Sequence, residues 1–542
     1  MGGQEIVRSF SLLDCTLRDG AYITDSRFGT PAIKGIIKKM QDAGADIIEC
    51  GWLKDKEHEE GSSFYHIPSD LEQYLIEKRN DVLYAVMIDW DRYDVKNLPE
   101  YDGKSVDAIR VVFPLGKHRE GILVGKEIRS KGYRVFFQAA NTLAYSDTEL
   151  IDLANCMNEF LPESLSVVDT FGAMFEEDVD RIVDILDREL KTEIKIGFHA
   201  HNNQQLAFSL SAHFIEIMES LGRSYVVDST LCGMGRGAGN ATTELVASYL
   251  NRKHNGGYDL DCVMDAIDVY MQEFMEKYNW GYSTPYFIAG MYQCHVNNIA
   301  YLLNNHRTNS KDMRNIIESL SQEDRRKYDY DLLEEKYIEN QDRLVDDESG
   351  IRELKKIFED KEILMLCPGR SLYDEKEIIE DFIKEHSPVV IGVNAIIPEY
   401  KYDYLFFVNH ARYEYASQVH SLIFNNVEKI LLSNIKTIKE NKEIIVNYNR
   451  AVKRGWEHFD NAAICCLRLM DKLHLKSINV AGFDGFKHQY NESYADTSLP
   501  SLNPDNKWDE LNDEIKDMFR DFKKSAKHIS KISFITDSIF DI

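Results

Sequence analysis

The sequence has no run of about 18 consecutive apolar residues, so it predicts no membrane-spanning helix. Its first residues, MGGQEIVRSF, lack the basic start and the apolar stretch of a secretory signal peptide. They also depart from the myristoylation pattern, because the sixth residue is Ile6 rather than Ser or Thr. We therefore expect a cytoplasmic protein.

Cysteine pairs at metal-binding spacing are also missing. The nine cysteines are scattered along the chain, and none forms a CxxC motif. This spacing indicates neither a zinc ribbon nor a disulfide framework. We expect reduced and mostly buried thiols.

Positive charge is scarce relative to negative charge. The chain has 64 Lys and Arg against 91 Asp and Glu, which gives a formal net charge of −27. An acidic surface repels nucleic acid and anionic membranes, so we expect neither as a partner. Anionic small substrates are not excluded, because a bound metal ion or a local Arg can reverse the field inside a cleft.

What the sequence does contain is a regular alternation of strand-like and helix-like segments. Eight apolar, β-branched runs are each followed by a polar or amphipathic stretch within about 240 residues. Buried parallel strands have this composition, and eight such units fit a (β/α)8 TIM barrel better than an open sheet. We assign this barrel to residues 1–257 of a chain whose length, 542 residues, itself predicts more than one domain.

The remaining sequence predicts two further parts. Residues 258–345 read as a helical extension and a highly charged linker, and residues 346–542 read as a smaller Rossmann-like α/β domain. The extension is rich in Tyr and Met, and it includes Tyr282, Tyr286 and His295. It is a candidate cap for the barrel or a homodimer face, although such helices are more often plain packing.

Polar residues follow the first and seventh strands of the predicted barrel. The first strand runs into DCTLRDG, and the seventh ends in GFHAHNN. His199 and His201 are two residues apart and would point to the same side of a strand. Two such imidazoles plus a carboxylate form a facial set of ligands for a divalent ion, and the absence of a thiolate suits Mn²⁺ or Mg²⁺, with Zn²⁺ as a third candidate.

Three motifs in this order, TLRDG, GFHAHNN and GMGRGAGNATTEL, resemble the DRE-TIM metallolyase superfamily over residues 10–300. Its members include 4-hydroxy-2-oxovalerate aldolase and 3-hydroxy-3-methylglutaryl-CoA lyase. The resemblance implies that Asp19, His199 and His201 hold the metal and that Asn240 approaches it. It also implies that Arg18 contacts the developing enolate.

The resemblance therefore predicts an aldolase or lyase that forms or cleaves a carbon–carbon bond through the enolate of pyruvate or another 2-keto acid. A metal can act as a Lewis acid on the keto carbonyl, and Arg18 would stabilise the enolate charge. The partner substrate would be an aldehyde. The alternative is a Claisen-type acyl-CoA condensation, which is less favoured because the sequence has no obvious acyl-CoA signature.

The chain departs from the characterised aldolases directly after TLRDG. They carry a His shortly after this motif, whereas this chain has Ala21 and Tyr22. Tyr22 is either the acid–base catalyst or a pocket-lining residue, since an ordinary phenol with a pKa near 10 is a poor base. Cys232 precedes the Gly-rich loop and is expected to be a buried thiol.

Four other polar residues lie at predicted strand ends and are second choices for substrate contact: Glu49, Gln138, Asp169 and Asp228. Asp169 and Asp228 would equally serve as hydrogen-bond partners of the His ligands or of backbone turns. The four glycines of the loop, at 233, 235, 237 and 239, would let the backbone approach a ligand, or they form a tight turn alone.

The third predicted domain carries a weaker resemblance, over residues 360–490. LCPGRSL before a helix, and VAGFDGF, are similar to segments of sialyltransferase-like nucleotide-binding domains. That resemblance implies that Gly369, Arg370, Ser371 and Asn394 face a nucleotide or nucleotide-sugar, with Asp484 near the sugar or acceptor. A Gly turn with no ligand is the simpler interpretation.

The two resemblances together suggest an enzyme of surface-polysaccharide metabolism, by analogy alone. The alternative of a different class is a glycosyl or nucleotidyl transferase whose activity lies in the C-terminal domain.

Overall fold

The computed structural model describes residues 8–306, 308–342, 344–437, 443–487, 491–501 and 507–541. The chain divides into two compact units, Met1–Val296 and Asn297–Ile542. The division falls inside the helical segment that the sequence places at 258–345. No helix among the described residues is long and apolar enough to cross a membrane.

The first unit is a closed barrel of eight parallel strands, which confirms the predicted TIM barrel. The ring closes because the first strand pairs with the second and also with the last. A ninth, two-residue strand lies outside the ring beside the second strand. The strands are β1 (Phe10–Asp14), β2 (Ile47–Leu53), β3 (Phe64–Tyr65), β4 (Leu83–Asp89), β5 (Ala108–Phe113), β6 (Arg134–Ala139), β7 (Ser164–Asp169), β8 (Lys195–Ala200) and β9 (Tyr225–Ser229).

Helices surround this ring and continue past it. They are α1 (Thr16–Asp19), α2 (Ala21–Thr24), α3 (Thr30–Ala43), α4 (His118–Ser130), α5 (Asp147–Phe160), α6 (Glu176–Glu189), α7 (Ala207–Leu221), α8 (Thr243–His254), α9 (Leu260–Ala266), α10 (Gln272–Lys277) and α11 (Thr284–Met291). A π-helical turn, Ile267–Met271, joins α9 to α10.

Local sequence explains where these helices begin and end. Pro31 lies in the first turn of α3, where its missing N–H is not needed, and Gly44 ends that helix in the left-handed conformation. Ser146 and Glu149 form a capping box at the start of α5. The helices bury their apolar faces against strands, as where Phe214 of α7 stacks on Phe198 of β8.

The second unit is built on a sheet of seven parallel strands, as the predicted Rossmann-like domain requires. The strands are β10 (Ile363–Leu366), β11 (Val389–Val393), β12 (Tyr404–Phe407), β13 (Glu428–Leu432), β14 (Glu443–Val446), β15 (Ser477–Ala481) and β16 (Lys531–Phe534). They lie in the order β14-β13-β12-β11-β10-β15-β16. The chain therefore builds outward from β10 on one side and then crosses back to its other side at β15.

From Val296 onward, the described residues form twelve α-helices. They are α12 (Val296–Asn305), α13 (Ser310–Ser319), α14 (Gln322–Arg326), α15 (Tyr330–Gln341), α16 (Glu348–Phe358), α17 (Ser371–Asp374), α18 (Lys376–His386), α19 (His410–Val419), α20 (Ser421–Asn426), α21 (Tyr448–Ala451), α22 (Ala462–Lys472) and α23 (Trp508–Ser525).

A substitution of Phe198 tests the packing between the barrel strands and the surrounding helices. Phe198 is fully buried, so Phe198→Ala is expected to lower the free energy of unfolding of the barrel by about 3–5 kcal/mol, because it removes ring contacts and leaves a cavity. Urea unfolding followed by circular dichroism measures this. Phe175→Ala is the matched control, since Phe175 is 46% exposed and should change little. Equal effects of the two substitutions would contradict the assigned packing.

Candidate metal centre

The turn after β1 brings one carboxylate to the carboxyl end of the barrel. β1 ends at Asp14, and the TLRD segment forms the single helical turn α1, so Asp19 lies one turn beyond the strand rather than on it. Asp14 fixes this turn, because its carboxylate accepts hydrogen bonds from the Thr16 backbone N–H at 3.1 Å and from the Thr16 and Thr243 hydroxyls at 3.0 and 2.7 Å.

The two histidines come from the seventh strand of the ring. His199 lies in β8, and His201 follows it in an isolated backbone bridge to Asn240. The Nε2 atoms of His199 and His201 lie 3.3 and 4.0 Å from Asp19 Oδ2. Each of the three residues can offer one ligand atom, and these atoms all lie within 4.8 Å of one another.

The other ring nitrogen of each histidine is already occupied. His199 Nδ1 lies 3.0 Å from Asp228 Oδ2, and His201 Nδ1 lies 2.9 Å from the backbone carbonyl of Asp169. When Nδ1 donates to these oxygens, the Nε2 lone pairs face Asp19, as partners of this kind arrange for metal-ligating imidazoles. Asp228 is thus a hydrogen-bond partner of His199. The Asp169 carboxylate instead accepts the backbone N–H groups of Ala173 and Met174.

Charges around the triad set its protonation. Burial would raise the pKa of Asp19, but the Arg18 guanidinium and the adjacent His199 and His201 imidazoles hold it well below its usual range. Burial and the neighbouring His199 lower the pKa of His201 to about 4. Burial would also lower the pKa of His199, yet the adjacent carboxylates of Asp19 and Asp228 outweigh this and raise it.

A chain of buried ion pairs runs behind the triad. Glu49 Oε2 accepts hydrogen bonds from Arg18 Nε at 2.7 Å and from Arg110 Nη1 at 2.8 Å, and Arg110 also donates to Asp228. Counting Asp19, this group contains three carboxylates and two guanidinium groups, all buried. The surplus negative charge in a low-dielectric interior favours a bound cation.

The residues present therefore fit a divalent metal ion. Both carboxylate oxygens of Asp19 are buried and neither accepts a hydrogen bond of good geometry within the described residues. The Oδ1 atom of Asn240 is likewise buried without a partner there, while its Nδ2 donates to the Met234 carbonyl at 3.0 Å. Buried oxygens without donors are costly unless an ion occupies the space beside them.

The Gly-rich loop folds back on itself next to Asn240. Gly239 has a left-handed φ of 84°, and a Cβ there would lie 2.0 Å from the carbonyl oxygen of Gly233. A Cβ at Gly235 would lie 2.1 Å from Asn240 Nδ2. The glycines at 235 and 239 are thus required by the tight turn that places Asn240, independently of any ligand.

A cavity of about 170 Å³ adjoins the triad. Its polar walls include Arg18, His199, His201, Gln138, Asn203, Asp89, Arg236 and His295, and its apolar walls include Trp52, Met87, Val112 and Val168. Among the second-choice residues, Gln138 lines the cavity and donates to Ser166 Oγ at 2.9 Å. Of the extension residues, His295 lines it, whereas Tyr282 is largely exposed.

Tyr22 lines the same cavity. Its ring lies under the Arg236 guanidinium, with 3.7 Å between the Arg236 Cζ atom and the ring centroid, and it meets Trp52 edge to face at 5.7 Å. Tyr22 as a whole residue is 43% exposed, but desolvation within the pocket raises the pKa of Tyr22 to about 12. A phenol of this kind is a hydrogen-bond donor at neutral pH and a poor base.

Cys232 is half-buried in the left-handed conformation, with a φ of 55°. Its carbonyl accepts a hydrogen bond from Trp280, and burial raises the pKa of its thiol to about 12. A protonated thiol is a weak nucleophile, which agrees with the expected structural role.

Reasoning from the sequence missed Arg110 and Arg236. Arg110 is the single charge within the apolar strand AIRVVF, and a lone charge in a buried strand is a signal that could have identified it. Arg236 lies inside the Gly-rich motif itself, but nothing local shows that it stacks on Tyr22.

The sequence of the barrel is similar to a known family model and to sequences of known enzymes. Residues 121–270 match the HMGL-like family model. The 4-hydroxy-2-oxovalerate aldolase 2 of Salinispora arenicola is 29% identical over 295 residues, which is 52% of this chain and 80% of that protein. An oxaloacetate decarboxylase of Mycobacterium tuberculosis is 28% identical over 263 residues, which is 47% of this chain and 74% of that protein.

A solved structure, the HMG-CoA lyase of Brucella melitensis, aligns with a TM-score of 0.40 and 16% identity. The alignment covers 49% of this chain and 98% of the lyase.

The hydrogen bonds of His199 predict a pH dependence of metal binding. Because the pKa of His199 is raised, a bound metal must displace a proton, so the affinity for Mn²⁺ should increase as the pH rises from about 6 to 8. Asp228→Asn should lower the affinity about 10–100-fold and move the pH dependence to lower pH. Electron paramagnetic resonance of free Mn²⁺ measures both.

The matched control is Asp180→Asn, since Asp180 pairs with the partly exposed His213 on the outside of the barrel. An affinity that does not change between pH 6 and 8 in the folded protein would contradict the assigned role of His199.

Proposed function

We propose that the chain forms or cleaves a carbon–carbon bond next to a 2-keto acid carbonyl, because residues 121–270 match the HMGL-like family model and the barrel resembles the DRE-TIM metallolyase superfamily. The reaction passes through the enolate of pyruvate or a similar keto acid. The single observation that supports the proposal is that the ligand atoms of Asp19, His199 and His201 converge next to a cavity that Arg18 and both histidines line.

Asp19, His199 and His201 would hold a divalent ion, Mn²⁺ or Mg²⁺ with Zn²⁺ as a third candidate, and Asn240 would approach it. When bound, the ion supplies a Lewis acid that polarises the keto carbonyl. The neutral His201 and the ionised Asp19 are in the protonation states that metal ligation requires.

Arg18 is positioned to stabilise the enolate. Glu49 holds its Nε at 2.7 Å, and Trp52 Nε1 donates to its backbone carbonyl at 3.0 Å, so the guanidinium is fixed before substrate binds. A preorganised cation in a water-poor cavity is worth more to a developing negative charge than the same group in water.

Tyr22 acts as a proton donor in this proposal. With its pKa at about 12 the hydroxyl stays protonated at neutral pH, so it donates to the oxygen that gains charge on the aldehyde during bond formation. The apolar wall of Met87, Val112 and Val168 limits water access to the enolate.

Two other reactions would use the same metal centre without removing a C3 proton from pyruvate. Decarboxylation of a 2-oxo diacid is suggested by the relative named oxaloacetate decarboxylase, at 28% identity. A Claisen-type condensation with an acyl-CoA is the remaining alternative. These reactions differ in the electrophile or leaving group and share the metal centre.

A second candidate function concerns the second unit. A cavity lies at the carboxyl ends of its strands, lined by Gly369 after β10 and by Gly482 and Asp484 after β15. The strand order reverses between β10 and β15, and ligands of open parallel sheets bind at such reversals. This position supports nucleotide or nucleotide-sugar binding, and with it a glycosyl or nucleotidyl transferase.

The residues of this cavity differ from those expected from the sequence. Gly369 and Asn394 line it, but Arg370 is exposed and faces Asp374 at 3.7 Å. The Ser371 hydroxyl donates to Asp484. Among the described residues of the lining, the cation is instead the buried Arg412. Its guanidinium lies over the ring of Tyr494 at 4.6 Å, where phosphate and base groups could bind.

Titration of the full chain with UDP and CDP tests this second candidate by calorimetry. Arg412→Gln should weaken binding about tenfold or more, because it removes the buried cation that meets the phosphates. Arg520→Gln, an exposed cation on α23, is the matched control. Absence of binding to the wild-type chain would exclude these nucleotides as ligands.

Exchange of the C3 protons of pyruvate in D₂O, followed by NMR, tests enolate formation. The exchange should require Mn²⁺ or Mg²⁺. Loss of a hydrogen-bond partner of a metal ligand lowers affinity or activity roughly 10–100-fold, and His199→Ala, which removes a proposed ligand itself, should lower the exchange rate by more than this. His213→Ala, which changes a partly exposed histidine on α7, is the matched control.

No exchange of pyruvate or 2-oxobutanoate with any divalent ion would contradict the keto-acid proposal. Release of CoA thiol from acyl-CoA substrates, or of CO₂ from oxaloacetate, would then identify which alternative holds.

A further inference from the structure

The cavity beside the metal centre contains a second guanidinium that the chemistry described above does not use. Arg236 lies in the Gly-rich loop after β9, is half-buried, and lines the same cavity as Arg18 and His199. Its guanidinium is held flat against Tyr22, with its Cζ 3.7 Å from the ring centroid, and its Nη1 donates to His295 Nε2 at 3.4 Å. One face is thus covered while the edge remains available for hydrogen bonds.

No carboxylate among the described residues of the cavity forms an ion pair with Arg236, and Asp89 interacts with its charge only at longer range. Arg18 is matched by Asp19 and Glu49, but no carboxylate of residues 8–306 lies within 4.0 Å of the Arg236 guanidinium. Its partner His295 is neutral at physiological pH, because burial and the Arg236 charge lower its pKa to about 3. An unmatched, partly desolvated cation attracts an anion.

Asp89 is the carboxylate of the lining that could compete for Arg236. It faces Arg92 at 3.8 Å and makes no ion pair with Arg236. The two arginines of the cavity therefore differ in use. Arg18 is paired with Asp19 and Glu49, whereas Arg236 is available to bind a charged group of a substrate.

We propose that Arg236 determines specificity for an aldehyde that carries a carboxylate or phosphate group, an inference that rests on the proposed aldol function. The keto acid occupies the metal centre beside Arg18, and the second substrate lies toward Arg236. Planar N–H donors suit both carboxylate and phosphate, which share the chemistry recognised here.

The corresponding aldol step conserves atoms and charge. Pyruvate loses a C3 proton to solvent, and the enolate carbon forms a bond to the aldehyde carbon. The aldehyde oxygen takes the Tyr22 proton, which water then replaces. The product is a 4-hydroxy-2-oxo acid with a second anionic group at its far end, and cleavage is the reverse.

Matched pairs of aldehydes test the proposal with pyruvate as the common partner. The pairs are 4-oxobutanoate with butanal, and glyceraldehyde 3-phosphate with glyceraldehyde. The quantity measured is the ratio of kcat/KM for the anionic aldehyde to that for its neutral partner. The wild-type chain should prefer an anionic aldehyde, and Arg236→Gln should lower the ratio about tenfold or more.

Arg236→Lys should restore part of the ratio, since it keeps the charge and loses the planar donors. Arg119→Gln, an exposed arginine at the start of α4, removes the same charge from the surface and should leave the ratio at the wild-type value. Whichever pair shows the larger preference identifies the carboxylate or the phosphate as the recognised group.

Two results would overturn the inference: a wild-type chain without preference for either anionic aldehyde, or an equal fall of both rates in Arg236→Gln. The second result would assign Arg236 to the keto acid carboxylate or to packing on Tyr22. Neither result bears on the C3 proton exchange of pyruvate, so failure of the inference and failure of the proposed function are distinguishable.

Discussion

The guanidinium of Arg110 lies between two buried carboxylates, Glu49 and Asp228, and the metal centre depends on this contact. Without it two negative charges would face each other in the barrel interior. Glu49 in turn accepts a hydrogen bond from Arg18, and Asp228 pairs with His199. Through these two carboxylates Arg110 positions Arg18 and His199, which would contact the substrate and the metal, although Arg110 itself would contact neither. Breaking such a buried network by removing one member is strongly destabilising, because the remaining charges lose their partners.

Much of the barrel could be predicted from the sequence, because its eight strands are continuous apolar runs that periodicity reveals. The His199 and His201 pair could be predicted for the same reason, since polar groups at the end of a buried strand have no use in the core. The one-turn helix that carries Asp19 could not, because the sequence from Asp14 to Gly20 reads equally well as an extension of the strand. The hydrogen bonds that the Asp14 carboxylate accepts from Thr16 and Thr243, together with the backbone hydrogen bonds within the turn, stabilise the helical conformation.

The second unit was predictable in outline and less so in its details. Six of its strands have apolar runs, but β16 is four partly exposed residues without one, so periodicity does not mark it. A turn motif also proved a poor guide to side chains. The PGRS segment places Gly369 at the cavity, while its own Arg370 faces solvent and the more distant Arg412 supplies the buried cation. Local sequence sets the path of the backbone, whereas the direction of a side chain depends on tertiary neighbours.

The double pairing of β1 has a consequence for the order of events on the ribosome. β1 pairs with β2 and also with β9, which ends at Ser229, and the proposed metal ligands Asp19 and His201 are separated by most of the barrel sequence. At about 5–20 residues per second, a nascent chain would expose β1 for some ten to forty seconds before β9 emerged. Asp19 is synthesised before His199 and His201, so a metal ion could bind to all three residues only after the barrel has closed.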